Sequence, residues 1–272
     1  MQDDLGVISE FSITCGRIAR TSGVPLEVIQ RLGESKSDPF WVQLKDSLKR
    51  AAEPVEPILG SVATPVGQVQ IAGPWVPTDD ERKIVSRFVE SNCKFWRDVH
   101  GIDLQLPDDV FPIFPRLVPG FGRYIVMPKI GLNAIWDGQL KSFKAWKYFD
   151  TKPEAFVTEN ERDAAETGLY VILVRESVEP DDDLCNMSAG MVKKRKLKTE
   201  TLAERLVHGH QFFFETQQYL DVNDWTICSG SRYSGGGVPS VRWDDAGREV
   251  QVGWDGVGGR GPSSGPRAAV TL

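Results

Sequence analysis

Val238-Pro-Ser-Val-Arg-Trp243 and Val250-Gln-Val-Gly-Trp254 are the two stretches whose reading decides the fold. In the first, Val238, Val241 and Trp243 interleave with Ser240 and Arg242; in the second, Val250, Val252 and Trp254 interleave with Gln251 and Gly253. A period of two is the signature of β-strands, because successive side chains point to opposite faces of a sheet. The pattern predicts that the Val and Trp positions enter a core and that Ser, Arg, Gln and Gly face outward. Around these strands stand loops made of Gly, Ser, Asp, Tyr and Arg: Tyr233-Ser-Gly-Gly-Gly237, Asp244-Asp-Ala-Gly247, and Asp255 to Gly265. Eleven of the chain's 26 glycines fall between 230 and 265. Loops of that composition bury little apolar area, so the few Val and Trp residues must hold the frame.

Upstream, Thr201-Leu-Ala-Glu204 is a capping box that opens a helix running to about Tyr219, with Leu202, Leu206, Phe213 and Phe214 directed at a core. Arg123-Tyr-Ile-Val-Met127 and Leu169-Tyr-Val-Ile-Leu-Val174 are near-continuous apolar runs, the mark of strands buried on both faces. Leu132 to Lys144 reads as a short helix. Asp79 or Asp80 to His100 reads as a longer one, with Ile84, Phe88, Phe95 and Trp96 near helical spacing and Gly101 as its stop. Residues 51–80, with Pro54, Pro57, Pro65, Pro74 and Pro77, read as an extended linker.

Residues 8–35 read as two short helices about a turn at Gly23, and Ile18 to Leu32 resembles a helix-turn-helix module. Ala19 would let the helices approach, and Val24, Ile29 and Leu32 would fill the space between them. Residues 1–50 carry seven basic against seven acidic side chains, without the basic excess usual in DNA readers. A packing hairpin, a DNA-binding module and a partner-docking module all stay open.

The composition, 40% hydrophobic and 26% charged over 272 residues, suits one large domain or an ordinary domain with a small one. A net charge of −6 argues against a nucleic-acid footprint over the whole protein. The basic run Lys193-Lys194-Arg195-Lys196-Leu197-Lys198, preceded by acidic Glu179 to Asp183, reads as a solvated, charge-balanced loop. No apolar run approaches the roughly 20 residues of a membrane span, and the acidic start Met1-Gln-Asp-Asp is unlike a secretory signal; a cytoplasmic protein without membrane contact is the expectation. Cys15, Cys93, Cys185 and Cys228 show no zinc or redox spacing, and His208 and His210, two apart on a helix, point to different faces. Neither a metal nor a cofactor is expected.

Taken together, Cys228-Ser-Gly-Ser-Arg232, Val238-Pro-Ser-Val-Arg-Trp243, Val250-Gln-Val-Gly-Trp254 and the ending Arg267-Ala-Ala-Val270 resemble the C-terminal variable region of target proteins of diversity-generating retroelements. The resemblance implies a C-type lectin-like α+β domain, related to formylglycine-generating enzymes, over residues 81–272, with a variable region at about 229–266. It further implies that Gly230 to Arg232, Val238, Pro239, Val241, Trp243, Val250, Val252, Trp254 and Arg267 to Ala269 are scaffold. The diversified, ligand-facing set would be Tyr233, Ser234, Gly235, Ser240, Arg242, Asp244, Gln251, Gly253, Asp255, Ser263 and Ser264. Adenine substitution in an asparagine codon ending in C yields Gly, Ser, Asp, Tyr and Arg among others, the types that crowd these positions. Tyr, Ser and Gly are also favoured in binding loops, where Tyr gives contact area at low entropy cost. The ligand expected is a protein.

Three rivals are set against this reading. A cysteine hydrolase would need Cys228 activated by His208 or His210 brought in by folding. A calcium-dependent sugar reader would need a clustered carboxylate and amide set, and Trp243-Asp-Asp245 is the nearest approach to one. A DNA-binding regulator would act through residues 8–35, with the C-terminal domain as its sensor. No residue is expected to be catalytic.

Overall fold

A computed structural model describes residues 75–272, all within the second of the two units into which the chain divides, residues 65–272. The expected helical module at 8–35 and the proline-rich stretch as far as residue 74 lie outside the described residues. Helix α1, Asp79–Phe95, opens on a capping box between Thr78 and Glu81 and passes into a π-helical turn, Trp96–His100, closed by Gly101 at φ 70°. Then come β1 (Arg123–Met127), α2 (Leu132–Ser142), β2 (Lys144–Lys147), α3 (Pro153–Phe156), β3 (Val157–Asn160), α4 (Ala164–Thr167) and β4 (Tyr170–Val174). The chain continues through α5 (Ala189–Arg195), α6 (Leu202–Thr216), β5 (Trp225–Ile227), β6 (Ser231–Tyr233), β7 (Val238–Asp244), β8 (Glu249–Asp255) and β9 (Ser264–Gly265). The strands form a β1-β4 ribbon, a five-stranded mixed sheet in the order β2-β8-β7-β5-β9, and a β3-β6 pair. The described chain is an α+β structure.

The β1-β4 ribbon lies between two apolar clusters. Ile125, Met127, Ile172 and Val174 enter one, while Tyr124, Val126, Val171 and Leu173 enter the other. Burial on both faces is the reason these strands carry uninterrupted apolar runs. The outer edge of β1 is closed by side chains of helix α1 and its π-turn. Asn92 donates to the Tyr124 carbonyl (3.0 Å) and accepts from the Val126 N–H (2.9 Å), and the Trp96 indole donates to the Val126 carbonyl (2.8 Å). A helix thus supplies the hydrogen bonds that another strand would otherwise make. On the other edge, Leu173 exchanges backbone hydrogen bonds with Val270, which ties the C-terminal segment to the ribbon.

Helix α6 runs through the first of the two clusters. Its capping box, Thr201 with Glu204, forms as the sequence predicts, and Glu204 also receives a two-pronged ion pair from Arg162 (2.6 and 2.7 Å). The helix ends at Thr216, earlier than expected, because Gln217 turns to φ 59°. Leu202 and Leu206 are buried as expected, but Phe212 takes the buried place and Phe213 and Phe214 are half-buried. The basic run corrects its reading as a loop: Lys193, Lys194 and Arg195 form the last turn of α5, where cations meet the negative end of the helix dipole, and Lys196 stops the helix at φ 55°.

A buried ionic centre joins α6 to the C-terminal strands. Asp221, fully buried at φ 58°, accepts from the Arg205 Nε (2.8 Å) and Nη2, from the Arg267 Nη2 and from the Thr226 hydroxyl. Burial pushes its carboxyl up, yet the Arg205 and Arg267 guanidiniums outweigh that and hold it below the usual carboxylate range. Arg267 also donates to the Ser177 and Val178 carbonyls (2.9 and 2.7 Å). We expect Asp221→Ala, which leaves two buried guanidiniums facing each other, to cost about 3–5 kcal/mol in urea unfolding. Removing the exposed Lys83 of the Lys83–Asp80 surface pair should change stability by no more than about 0.5 kcal/mol.

Buried titratable groups give two opposed pH dependences. Burial, with help from neighbouring Lys141 and from the other imidazole, lowers His100 to about 4 and His210 to about 3 from 6.5. Their stability contribution is present above pH 6.5 and is lost as pH falls towards 4 and 3. Glu200, buried 2.7 Å from the His208 Nδ1, is raised by burial to about 8. Its contribution is present below the ordinary 4.5 and is lost as pH rises through about 8. Urea midpoints measured across pH should therefore lose part of their acid-side fall in His210→Gln and part of their alkaline-side fall in Glu200→Gln.

Candidate functional site

Cross-strand register sorts the C-terminal residues onto two faces of the five-stranded sheet. On one face Trp243 stands opposite Val250, Val241 opposite Val252, and Pro239 opposite Trp254. Val241 and Val252 enter the core, and Trp243 stacks on Tyr219 at 3.5 Å. On the other face Arg242 stands opposite Gln251, Ser240 opposite Gly253, Asp244 opposite Glu249 and Val238 opposite Asp255. Parallel pairing of β2 with β8 adds Trp146 beside Gln251, and pairing of β5 with β9 adds Trp225 beside Ser264. Six of the expected ligand-facing residues, Arg242, Asp244, Gln251, Gly253, Asp255 and Ser264, therefore share one face and are half-buried there.

This face is covered at one end and open at the other. Val238 and Ile227 pack with Ala189 at the start of α5, and the Gly190 N–H donates to the Val257 carbonyl (2.8 Å). Beneath that cover Val238 is fully buried, although the register places it on the opposite side of the strand from Val241. Ser240 corrects the reading of it as ligand-facing: it is 3% exposed, in register with Ile227, at the covered end. The strand period put Ser240 on the right face but carried no signal that the start of α5 packs on its neighbours Val238 and Ile227.

Towards the open end, the Arg242 guanidinium lies 4.7 Å from the Trp225 ring and its Nε donates to the Gln251 side-chain oxygen Oε1 (3.1 Å). Asp244 accepts from the Gly247 N–H (2.9 Å), so its carboxylate also closes the β7-β8 turn. A β-carbon on Gly253 would stand 3.2 Å from both the Ser240 Oγ and the Trp225 ring, so larger residues there must displace Trp225. A shallow cleft lined by Phe143, Tyr219, Trp243 and Val250 lies on the core-side face and reaches Arg242.

Tyr233, Ser234 and Gly235 stand apart, on β6 and the turn after it. The Tyr233 ring stacks on Phe156 (4.9 Å) and lies across the glycine turn, where a β-carbon on Gly235 would meet the ring at 2.7 Å. Gly235 is therefore free to change only if Tyr233 moves. Ser234 and Ser263 are exposed.

Trp254 corrects the reading of it as core scaffold. It is 43% exposed, because its end of β8 runs past the core, and its ring meets Tyr233 (5.8 Å) and Tyr148 (5.7 Å). Tyr148 in turn meets Trp146 at 6.5 Å, and both are exposed. This aromatic band links the Tyr233 turn to the Gln251 row. Sequence reasoning missed Trp146 and Tyr148: the expected helix stopped at Lys144 and the residues after it were assigned to no element, although the alternation Lys144-Ala-Trp-Lys-Tyr148 is a strand signal.

The remaining scaffold residues are built in. Gly230 approaches the cap of α6 so closely that a β-carbon would meet the Thr199 carbonyl at 3.0 Å, and the Ser231 hydroxyl accepts from the Leu202 N–H (2.9 Å). Cys228 is fully buried, and burial pushes its thiol well up, away from the reactive thiolate. His208 is held by Glu200, and His210 by the Ser142 hydroxyl (2.8 Å) against Phe95 and Phe143. Among the described residues no group of three or more His, Cys, Asp or Glu side chains could hold a metal ion, and no helix is long and apolar enough to cross a membrane.

These burials predict an asymmetric tolerance to substitution. Gln251→Ala, Asp255→Ala and Ser263→Ala should each shift stability by no more than about 0.5 kcal/mol, whereas Val252→Ala should cost about 2 kcal/mol, as read by thermal and urea unfolding. Ser240→Tyr should destabilise markedly, since no space exists between Gly253, Trp225 and Ile227 for a ring. Comparison of the chain with models of protein families, with curated proteins and with solved structures finds no match.

Proposed function

We propose that this protein is a ligand-binding target protein of a diversity-generating retroelement, displaying a variable surface on a C-type lectin-like domain, with a protein as its ligand. The observation that carries the reading is the register of β7 and β8. It lines up Arg242, Gln251, Gly253, Asp244 and Asp255 on the face opposite the core residues Val241 and Val252. Such a division lets one set of residues change while the other holds the frame, as a diversified binder requires. Chain reversals closed by side-chain and backbone hydrogen bonds, such as that from the Gly247 N–H to Asp244, keep the surface preorganised, which lowers the entropy cost of binding. Ser240 is left out of the variable surface on account of its burial, and Trp146, Tyr148 and Trp254 join it as aromatic contact area.

The reading is tested at the level of the gene. Deep sequencing of its 3′ end across related isolates should find differences concentrated in the codons of Tyr233, Arg242, Gln251, Gly253 and Ser263. An adjoining near-copy should carry adenines at those codons. Differences spread evenly over codons 225–270, with no near-copy in the adjoining DNA, would sink the proposal.

A further inference from the structure

We propose that the outer edge of β2, flanked by Trp146 and Tyr148, takes up an extended acidic peptide from a partner protein as a sixth strand of the main sheet. The proposal stands on backbone geometry and charge and does not rest on diversification of the neighbouring face.

Strand β2 pairs on one side only, with β8, and among the described residues no strand pairs with its other side. Tyr148 donates its backbone N–H to the Val252 carbonyl (3.0 Å). Alternation along a parallel strand then turns the backbone groups of Trp146 and Lys144 towards β8 and those of Ala145 and Lys147 outward. The outward pairs are the template that an added strand uses. Side chains alternate likewise. Ala145 packs on the core, while Trp146 and Tyr148 are 45% and 59% exposed beside the edge. Large aromatics standing in solvent next to unpaired backbone supply the pockets that give a bound strand its side-chain contacts.

Charge selects the occupant. Residues 137–152 hold Lys141, Lys144, Lys147 and Lys152 against Asp137 and Asp150, a local basic excess in a chain of net charge −6. Lys141, Lys144 and Lys152 are exposed, while the Lys147 ammonium is engaged by the Phe149 carbonyl (2.6 Å). A second copy is the poorer fit: pairing β2 with itself would lay one stretch of four Lys against two Asp beside another of the same charge, and like charges brought together destabilise a pair. An acidic strand meets no such penalty.

The test uses the full chain and short labelled peptides that alternate Glu with Val or Tyr, followed by fluorescence anisotropy. Saturable binding is expected. It should weaken about tenfold when a central proline removes one of the peptide's backbone donors, and again in Ala145→Pro, which removes an outward N–H at a position where an edge strand tolerates proline. Lys144→Glu should weaken it further, and thermal unfolding of both variants should match that of the parent. Arg242→Ala, on the open face of the sheet, should leave it unchanged. Absence of saturable binding overturns the proposal, as does binding indifferent to both prolines, equal binding of Lys-containing peptides, or loss in Arg242→Ala. A concentration-dependent dimer in sedimentation that Ala145→Pro abolishes would instead make the edge a contact between copies and overturn it.

Discussion

The Asp221 carboxylate holds this domain together. It sits where helix α6 has ended and β5 has not begun, and its two oxygens face guanidiniums from α6 and from the C-terminal segment. Two buried cations on one carboxylate are tolerable only because the remaining guanidinium donors find the Ser177 and Val178 carbonyls and the Thr226 hydroxyl. The backbone of Asp221 takes part as well, donating to the Val178 carbonyl and accepting from the Trp243 N–H (2.8 and 3.0 Å). Helix α6, the β4 loop, β5, β7 and the last residues of the chain are thereby fixed relative to one centre. A segment as poor in apolar area as residues 255–266 can stay ordered because Arg267 anchors its C-terminal end.

From that anchoring comes the division of labour in the main sheet. One face is committed to packing against α6 and α2, so its residues carry the stability. The opposite face is committed only where Ala189 and the Val257 loop cover it; beyond that cover lie Arg242, Gln251 and the exposed aromatics. Binding residues on strands held by a rigid core keep their positions when their identities change. Two surfaces arise from the same strand geometry. The open face offers side chains, and the β2 edge offers backbone.

Strands β7 and β8, the capping box at Thr201 and the apolar runs of the β1-β4 ribbon were legible along the chain because each is a local matter of periodicity or of a side chain bonding three residues away. So was the two-faced character of β7 and β8, since alternation is a property of the strand itself. Which part of a face is exposed is a different kind of fact. Ser240 and Arg242 are equivalent in the alternation, yet Ser240 is buried and Arg242 only half-buried, Ser240 lying nearer the end where Ala189, some fifty residues earlier in the chain, packs on Val238 and Ile227. Trp254 is equivalent to Val252, yet it is exposed because the core ends before it. Tyr148 and Trp146 acquire a role only by parallel pairing of β2 with β8, a contact across a hundred residues that leaves no periodic trace.

By itself, then, the amino-acid sequence determined helices α1, α2 and α6, strands β1, β4, β7 and β8, and the glycine-rich loops around the last two, because those depend on hydrogen bonds and steric preferences within a few residues. Only the tertiary structure decided which outward residues meet solvent, that Asp221 would be the buried counter-ion of Arg205 and Arg267, and that β2 would be an edge among the described residues. Each of these depends on distant segments excluding water from the same place. Burial, not spacing, sets the energy of a charge or an aromatic ring, and burial is a property of the assembled chain.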